Sequence, residues 1–111
     1  MLKTIEFRLK KDGHTVITAQ DGMEALKKIS EHNPDLILTD IMMPFSSGLE
    51  IISAVKLSGK KTPIIVLSAM GQENAVLEAF QLGADDYITK PFSLNELSVR
   101  VRRHAPALTK V

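Results

Sequence analysis

The chain has 111 residues, with 14 basic residues against 13 acidic ones and no cysteine. This length fits one domain with its own core. The nearly balanced charge argues against direct nucleic-acid binding. The lack of cysteine excludes disulfides and thiolate metal sites, so we expect a cytoplasmic protein. No apolar run is long enough to span a bilayer and no secretory signal opens the chain, so no membrane partner is expected.

The N-terminal segment is predicted to be a helix. Leu2, Ile5 and Leu9 recur at helical spacing, and Asp12-Gly13 ends the periodic stretch. The alternation of Ile5, Phe7 and Leu9 is also compatible with a strand. We favour the helix because the intervening Lys, Glu and Arg residues are good helix formers.

The next stretch predicts two strands around a helix. Residues 15–19 form a β-branched run that indicates a strand. Asp21 is a good N-cap for a second helix, which Asn33-Pro34 ends. Residues 36–40 form an apolar strand of the kind covered on both faces. Residues 42–47 are predicted to be a loop.

The remaining stretch alternates in the same way. A third helix is predicted to end at Ser58-Gly59, and residues 64–67 are predicted to form a strand. A fourth helix ends at Gly83, a position where helices commonly turn left-handed. Residues 87–89 form the last strand, and the capping box Ser93-Leu94-Asn95-Glu96 opens a final helix. Alternating helices and strands predict an α/β fold with a parallel sheet of four strands.

Three apolar runs end in a reactive polar residue: Asp40, Ser68 and Lys90. The carboxyl ends of parallel strands share one edge of the sheet, and ligands usually bind there. We therefore expect these three side chains to lie close together. A carboxylate can act as a nucleophile that carries a phosphoryl group, whose charge then needs cations and donors. Pro44 and Gly48 indicate a constrained loop beside Asp40. The pattern predicts a phosphate site.

Other charged residues carry less functional information. We interpret three arginines near the C-terminus as the solvated face of the last helix rather than a phosphate-binding patch: Arg100, Arg102 and Arg103. Three histidines lie in turn or terminal positions and resemble surface residues: His14, His32 and His104. No glycine-rich phosphate loop, metal-ligand cluster or nucleophile-base pair is apparent, so we do not expect an independent enzyme.

From residue 2 to about 103 the chain resembles a response-regulator receiver domain of two-component signalling. The most specific stretches are Asp40-Ile41-Met42-Met43-Pro44 and Lys90-Pro91-Phe92 at the appropriate distance downstream. The resemblance implies a flavodoxin-like sheet flanked by helices. We assign residues 1–104 to this domain and residues 105–111 to a C-terminal tail or the start of a linker.

The resemblance also implies roles for single residues. Asp40 matches the phospho-acceptor, which receives its phosphoryl group from a histidine kinase or phosphotransfer protein. Ser68 and Lys90 match the residues that contact the phosphate, with Lys90-Pro91 as a cis peptide. Ser68 and Tyr87 match the pair that switches an output surface made by the fourth helix, last strand and fifth helix. Pro44, Gly48 and Pro91 are structural, and an output domain or target protein is implied.

Receiver domains hold Mg²⁺ with an acidic pair at the end of a first strand, and this chain starts inside the first helix. If the N-terminal segment is a helix, Glu6 lies in its middle and Asp12 lies in the turn at its far end. Neither residue can then replace the acidic pair. Asp40 and the backbone carbonyl of Met42 remain as metal ligands, and Mg²⁺ needs several oxygen ligands. We therefore expect weak or absent Mg²⁺ binding and weak or absent phosphorylation.

The lack of the family's first strand also affects the sheet, because that strand lies between the strands at residues 15–19 and 36–40. Those two strands could pair directly, residues 3–9 could become a strand, or two chains could complete each other. Open apolar edges recruit strands, so we favour a homodimer. The alternative function is a phosphorylation-independent receiver that acts as a protein–protein interaction module.

Overall fold

The computed structural model describes residues 2–43 and 46–105. The helices within these ranges are α1 (Leu2–Lys11), α2 (Gly22–His32), α3 (Gly48–Leu57), α4 (Glu73–Leu82) and α5 (Leu94–His104). The strands are β1 (Ile37–Asp40), β2 (Met42–Met43), β3 (Ser46–Ser47), β4 (Ile64–Ser68) and β5 (Asp86–Thr89). In the described part of the chain, no helix is long and apolar enough to cross a membrane.

The main sheet is parallel and has the strand order β1-β4-β5. Its register pairs Ile37 with Ile64, and Ser68 with Thr89. The carboxyl ends of all three strands therefore share one edge. This is the edge at which the sequence predicted the functional residues to meet.

The central strand β4 is buried along its whole length and divides the core in two. Ile64 and Val66 pack into a cluster with α3 and α4, while Ile65 and Leu67 pack into a second cluster with α1 and α5. Side chains of a strand alternate between the two faces of a sheet. Helices therefore cover both faces, which explains why the strand sequence is apolar throughout.

The helix ends follow the predicted signals. The side chains of Asp21 and Ser93 each accept a hydrogen bond from the backbone N–H three residues later, at 2.9 and 3.0 Å. Asn33 ends α2 with a φ of 51°, and Gly83 follows α4 with a φ of 121°. These left-handed positions suit asparagine and glycine.

The predicted four-stranded sheet is wrong for the described ranges, because residues 15–19 join no ladder and the sheet has three strands. A cleft of about 730 Å³ is lined by residues 13–20 and 34–40. A strand needs a hydrogen-bonding neighbour about 4.8 Å away, and residues 15–19 have none. The two segments have not closed onto each other, and residues 3–9 remain in α1.

The predicted loop at residues 42–47 contains a small hairpin, in which Met42 pairs with Ser47 and Met43 with Ser46. Pro44, which the sequence singled out, lies outside the described residues. The hairpin leads directly into α3 and so fixes the chain just after Asp40.

Candidate functional site

The edge formed by the carboxyl ends of the strands holds an acidic and a basic side chain in contact. Asp40 ends β1, and Lys90 directly follows β5. The Lys90 Nζ lies 2.5 Å from Asp40 Oδ2, and each side chain is 26% exposed. Because the two groups are partly exposed, a ligand can reach them. Because they are also partly buried, the solvent screens their attraction less than it would at the open surface. The structure therefore brings together two of the three predicted site residues.

Ser68 ends β4, the strand between β1 and β5. Its side chain is 1% exposed, and its Oγ lies 3.4 Å from Thr89 Oγ1. The backbone carbonyl of Ser68 accepts a hydrogen bond of 2.7 Å from the Lys90 N–H. Ser68 thus lies at the predicted edge but is covered. Thr89, which the pattern of strand ends does not single out, lies at the same edge because it pairs with Ser68.

Gly48, the first residue of α3, lies against the backbone of Asp40. A Cβ atom at this position would lie 2.3 Å from the Asp40 carbonyl oxygen. The Gly48 N–H also donates a 2.7 Å hydrogen bond to the carbonyl of Ile41. A side chain here would therefore displace the chain that carries the candidate nucleophile.

Tyr87 lies on β5 and is 41% exposed. Its ring contacts that of Phe80 edge to face, with the centroids 5.8 Å apart and an interplanar angle of 88°. The surface formed by α4, β5 and α5 also exposes Leu77 and Val99. The adjoining peptide between Lys90 and Pro91 is cis, as the resemblance implies.

A second charged group ties β5 to α5. Asp86 accepts a 2.8 Å hydrogen bond from Arg100 and lies 3.0 Å from His104 Nε2. Burial raises the pKa of Asp86, but hydrogen bonds from the Tyr87 N–H and His104, with the charge of Arg100, outweigh it and hold this pKa below its ordinary value. Arg100 and His104 keep partly exposed side chains, 36% and 21% respectively, and both are in addition paired with Asp86. Their spacing from Asp86 in the sequence gave no signal of the contact.

Metal-ligating side chains do not form a cluster in the part of the chain that the structure describes. The described ranges contain no group of three or more His, Asp or Glu side chains that could hold a metal ion. Glu6 is paired with Lys10 at 2.8 Å, and Asp12 accepts a 2.5 Å hydrogen bond from Ser98. That hydrogen bond is the main reason why the pKa of Asp12 lies below its ordinary value. Glu6 and Asp12 are therefore each engaged with a neighbouring polar side chain.

Comparison with known proteins agrees with this arrangement. Over 98 residues the chain is 42% identical to the alkaline phosphatase synthesis transcriptional regulatory protein PhoP of Bacillus subtilis (strain 168). The match includes 88% of this chain but only 41% of that protein, so the chain spans less than half the length of this relative.

Solved structures show the same fold. A response regulator structure from Chloroflexus aurantiacus is 34% identical with a TM-score of 0.85, covering 92% of this chain and 85% of that one. A receiver domain from Clostridium thermocellum is 30% identical with a TM-score of 0.87, covering 93% and 83% respectively. The Francisella response regulator 1452 receiver domain is 37% identical with a TM-score of 0.83, covering 91% and 84%.

The family model of the response regulator receiver domain matches residues 1–102. Domains of this family are signalling modules that interact with histidine kinases or phosphotransfer proteins and generally bind Mg²⁺ for phosphorylation. The match extends over both faces of the sheet and the edge with Asp40 and Lys90. The chain therefore belongs to the response regulator receiver domain family.

Proposed function

We propose that Asp40 accepts a phosphoryl group from a histidine kinase or phosphotransfer protein. The observation that supports this most is the contact between Asp40 and Lys90 at the carboxyl edge of the sheet. A carboxylate oxygen of Asp40 attacks the phosphorus, the bond from phosphorus to the donor breaks, and the donor nitrogen leaves with the bonding electron pair. An acyl phosphate on Asp40 is the product.

Lys90 and Ser68 stabilise the added charge. The Lys90 ammonium exchanges the carboxylate oxygen for a phosphoryl oxygen while staying at the same edge. Ser68 then turns its hydroxyl from Thr89 toward the phosphate. Tyr87 moves inward in response, because the space beside Ser68 changes, and the α4–β5–α5 surface is altered for an output domain or target protein.

Mg²⁺ binding is weak in this proposal. The cation would neutralise phosphoryl oxygens during transfer, with Asp40 and the Met42 carbonyl as its ligands. Mg²⁺ sites usually use one or two carboxylates together with phosphate and water. The absence of a carboxylate cluster in the described ranges supports low affinity before a phosphate is present.

Intact-mass analysis after incubation with a small-molecule phosphodonor, with and without millimolar Mg²⁺, tests the proposal. We expect slow and partial addition of one phosphoryl group to the wild type, because Mg²⁺ binding is weak, and none to Asp40→Asn. The control Asp35→Asn changes an exposed carboxylate just before β1 and should keep the adduct. An unmodified wild type at all Mg²⁺ concentrations, or an adduct that persists in Asp40→Asn, would contradict the proposal.

The second candidate function is a phosphorylation-independent interaction module that forms a homodimer. The position of β1 at the edge of the sheet supports it, since β1 pairs with β4 on one side and borders the cleft on the other. An apolar edge strand can pair with another chain. In this case Asp40→Asn would leave association unchanged.

A further inference from the structure

The central strand β4 alternates its backbone hydrogen bonds between its two neighbours up to its last residue. The Leu67 carbonyl accepts a 3.0 Å hydrogen bond from the Ile41 N–H, on the β1 side. The Ser68 carbonyl accepts one of 2.7 Å from the Lys90 N–H, on the β5 side. Successive residues of a strand direct their backbone groups to opposite sides. This alternation, continued by one residue, directs the N–H of Ala69 towards β1, the strand whose last residue is the candidate nucleophile.

The pairing of β4 with β1 stops at this point, and both groups that could continue it are engaged elsewhere. The carbonyl of Ile41 accepts a 2.7 Å hydrogen bond from the Gly48 N–H. The Ala69 N–H donates a 2.6 Å hydrogen bond to Oε1 of Gln72. Gln72 lies just before α4, but its side chain makes no hydrogen bond that caps this helix. The Gln72 side chain thus holds the Ala69 amide instead of the start of its own helix.

A phosphoryl group on Asp40 would create a demand for hydrogen-bond donors at this edge, because it brings strong acceptor oxygens. Lys90 supplies an ammonium group and Ser68 supplies a hydroxyl. Backbone N–H groups are frequent ligands of phosphate oxygens, since the main chain holds them in place. The Ala69 N–H directly follows Ser68 and is directed towards β1, so it suits this role once Gln72 releases it.

We propose that Gln72 is a positioning residue that keeps the Ala69 N–H occupied and thereby slows phosphorylation of Asp40. Its Oε1 competes with a phosphoryl oxygen for the same donor, so the hydrogen bond to Gln72 must break before the new one forms. The bond between Ala69 and Gln72 is exposed, and its exchange therefore requires no opening of the core. This inference rests on the proposed phospho-acceptor function of Asp40.

Two measurements on the full chain test the inference: the rate at which acetyl phosphate adds a phosphoryl group, followed by intact mass, and the hydrogen exchange of the Ala69 amide. Gln72→Met keeps the length of the side chain but removes the acceptor oxygen. We expect both rates to rise about five-fold in this variant, the factor that corresponds to one net hydrogen bond. Gln72→Glu retains an acceptor oxygen, so the Ala69 amide should stay protected and phosphorylation should be no faster than in the wild type.

The matched control is Gln81→Met, which removes the same amide group from an exposed position of α4 and should change neither rate. Equal or slower phosphorylation of Gln72→Met would overturn the inference, as would an Ala69 amide that exchanges no faster than in the wild type. A mass adduct on neither protein would instead overturn the proposed function, and the inference with it. The amide of Val66 in β4 reports whether each variant remains folded, since a general loss of stability would speed its exchange as well.

Discussion

At the scale of single residues, the position of Asp40 depends on a neighbour with no side chain. The α3 helix begins so close to β1 that a methyl group on Gly48 would overlap the Asp40 carbonyl oxygen. Lys90 then approaches the same aspartate from β5. Backbone contact on one side and an ion pair on the other thus hold the candidate nucleophile. The sequence indicated Gly48 as structural, and the reason for it is this close approach.

Gly48→Ala should lower the free energy of unfolding by about 3 kcal/mol, the upper end of the range for forced backbone shifts. The comparison variant is Gly59→Ala, where nothing lies within 4 Å of an added Cβ and only the φ of 83° opposes the change. It should cost about 1 kcal/mol. Urea unfolding at neutral pH measures both, and equal losses would contradict the importance of the Asp40 contact.

At the scale of elements, charged groups fix α5 against the rest of the domain. Asp86 on β5 contacts Arg100 and His104, so α5 is held along its second half. At the other end, Arg8 of α1 donates a 2.9 Å hydrogen bond to Asn95. Together with the apolar contacts of Leu97, these interactions hold α5 against α1 and the sheet.

The depressed pKa of Asp86 makes part of the stability dependent on pH. The carboxyl binds protons more weakly in the folded state, so its contribution is present above the unfolded pKa of about 3.9 and is lost as pH falls through the folded value. Asp86→Asn should lower the free energy of unfolding by about 1–2 kcal/mol at pH 7. It should also make the decrease in that free energy at acid pH less steep. Urea unfolding from pH 7 to pH 2 measures this.

The exposed Asp35→Asn variant is the control for Asp86→Asn, and it should reproduce the wild-type pH profile. An Asp86→Asn profile parallel to the wild type below pH 5 would show that the contacts of Asp86 add no pH-dependent stability. Because Asp86 lies far along the chain from Arg100 and His104, local helix stability does not account for the expected effect.

At the scale of the whole molecule, stability depends on a narrow sheet covered on both faces. β4 contributes to both apolar clusters, while β1 borders the cleft along one side. The β4 strand therefore carries the core of the domain. A cavity in β4 therefore removes packing contacts from the helices on one face and from both neighbouring strands.

Ile65→Ala should lower the free energy of unfolding by about 2–5 kcal/mol, since Ile65 is fully buried between α1, α5 and the sheet. Leu57→Ala removes a similar side chain that is 88% exposed and should change stability by less than about 0.5 kcal/mol. Denaturant titration of the two variants measures the difference. Similar losses would show that the β4 cluster is not the stabilising centre.

The sequence by itself determined the five helices, the three strands of the main sheet, their parallel direction and the edge at which Asp40, Ser68 and Lys90 lie. These follow from local signals: apolar periodicity, caps such as Asp21 and Ser93, and the left-handed residues Asn33 and Gly83. Only the tertiary structure decided that residues 15–19 form no strand, because a strand requires a neighbour at hydrogen-bonding distance. It also decided the contacts of Asp86, the burial of Ser68 and the cleft beside β1, which depend on residues distant in sequence.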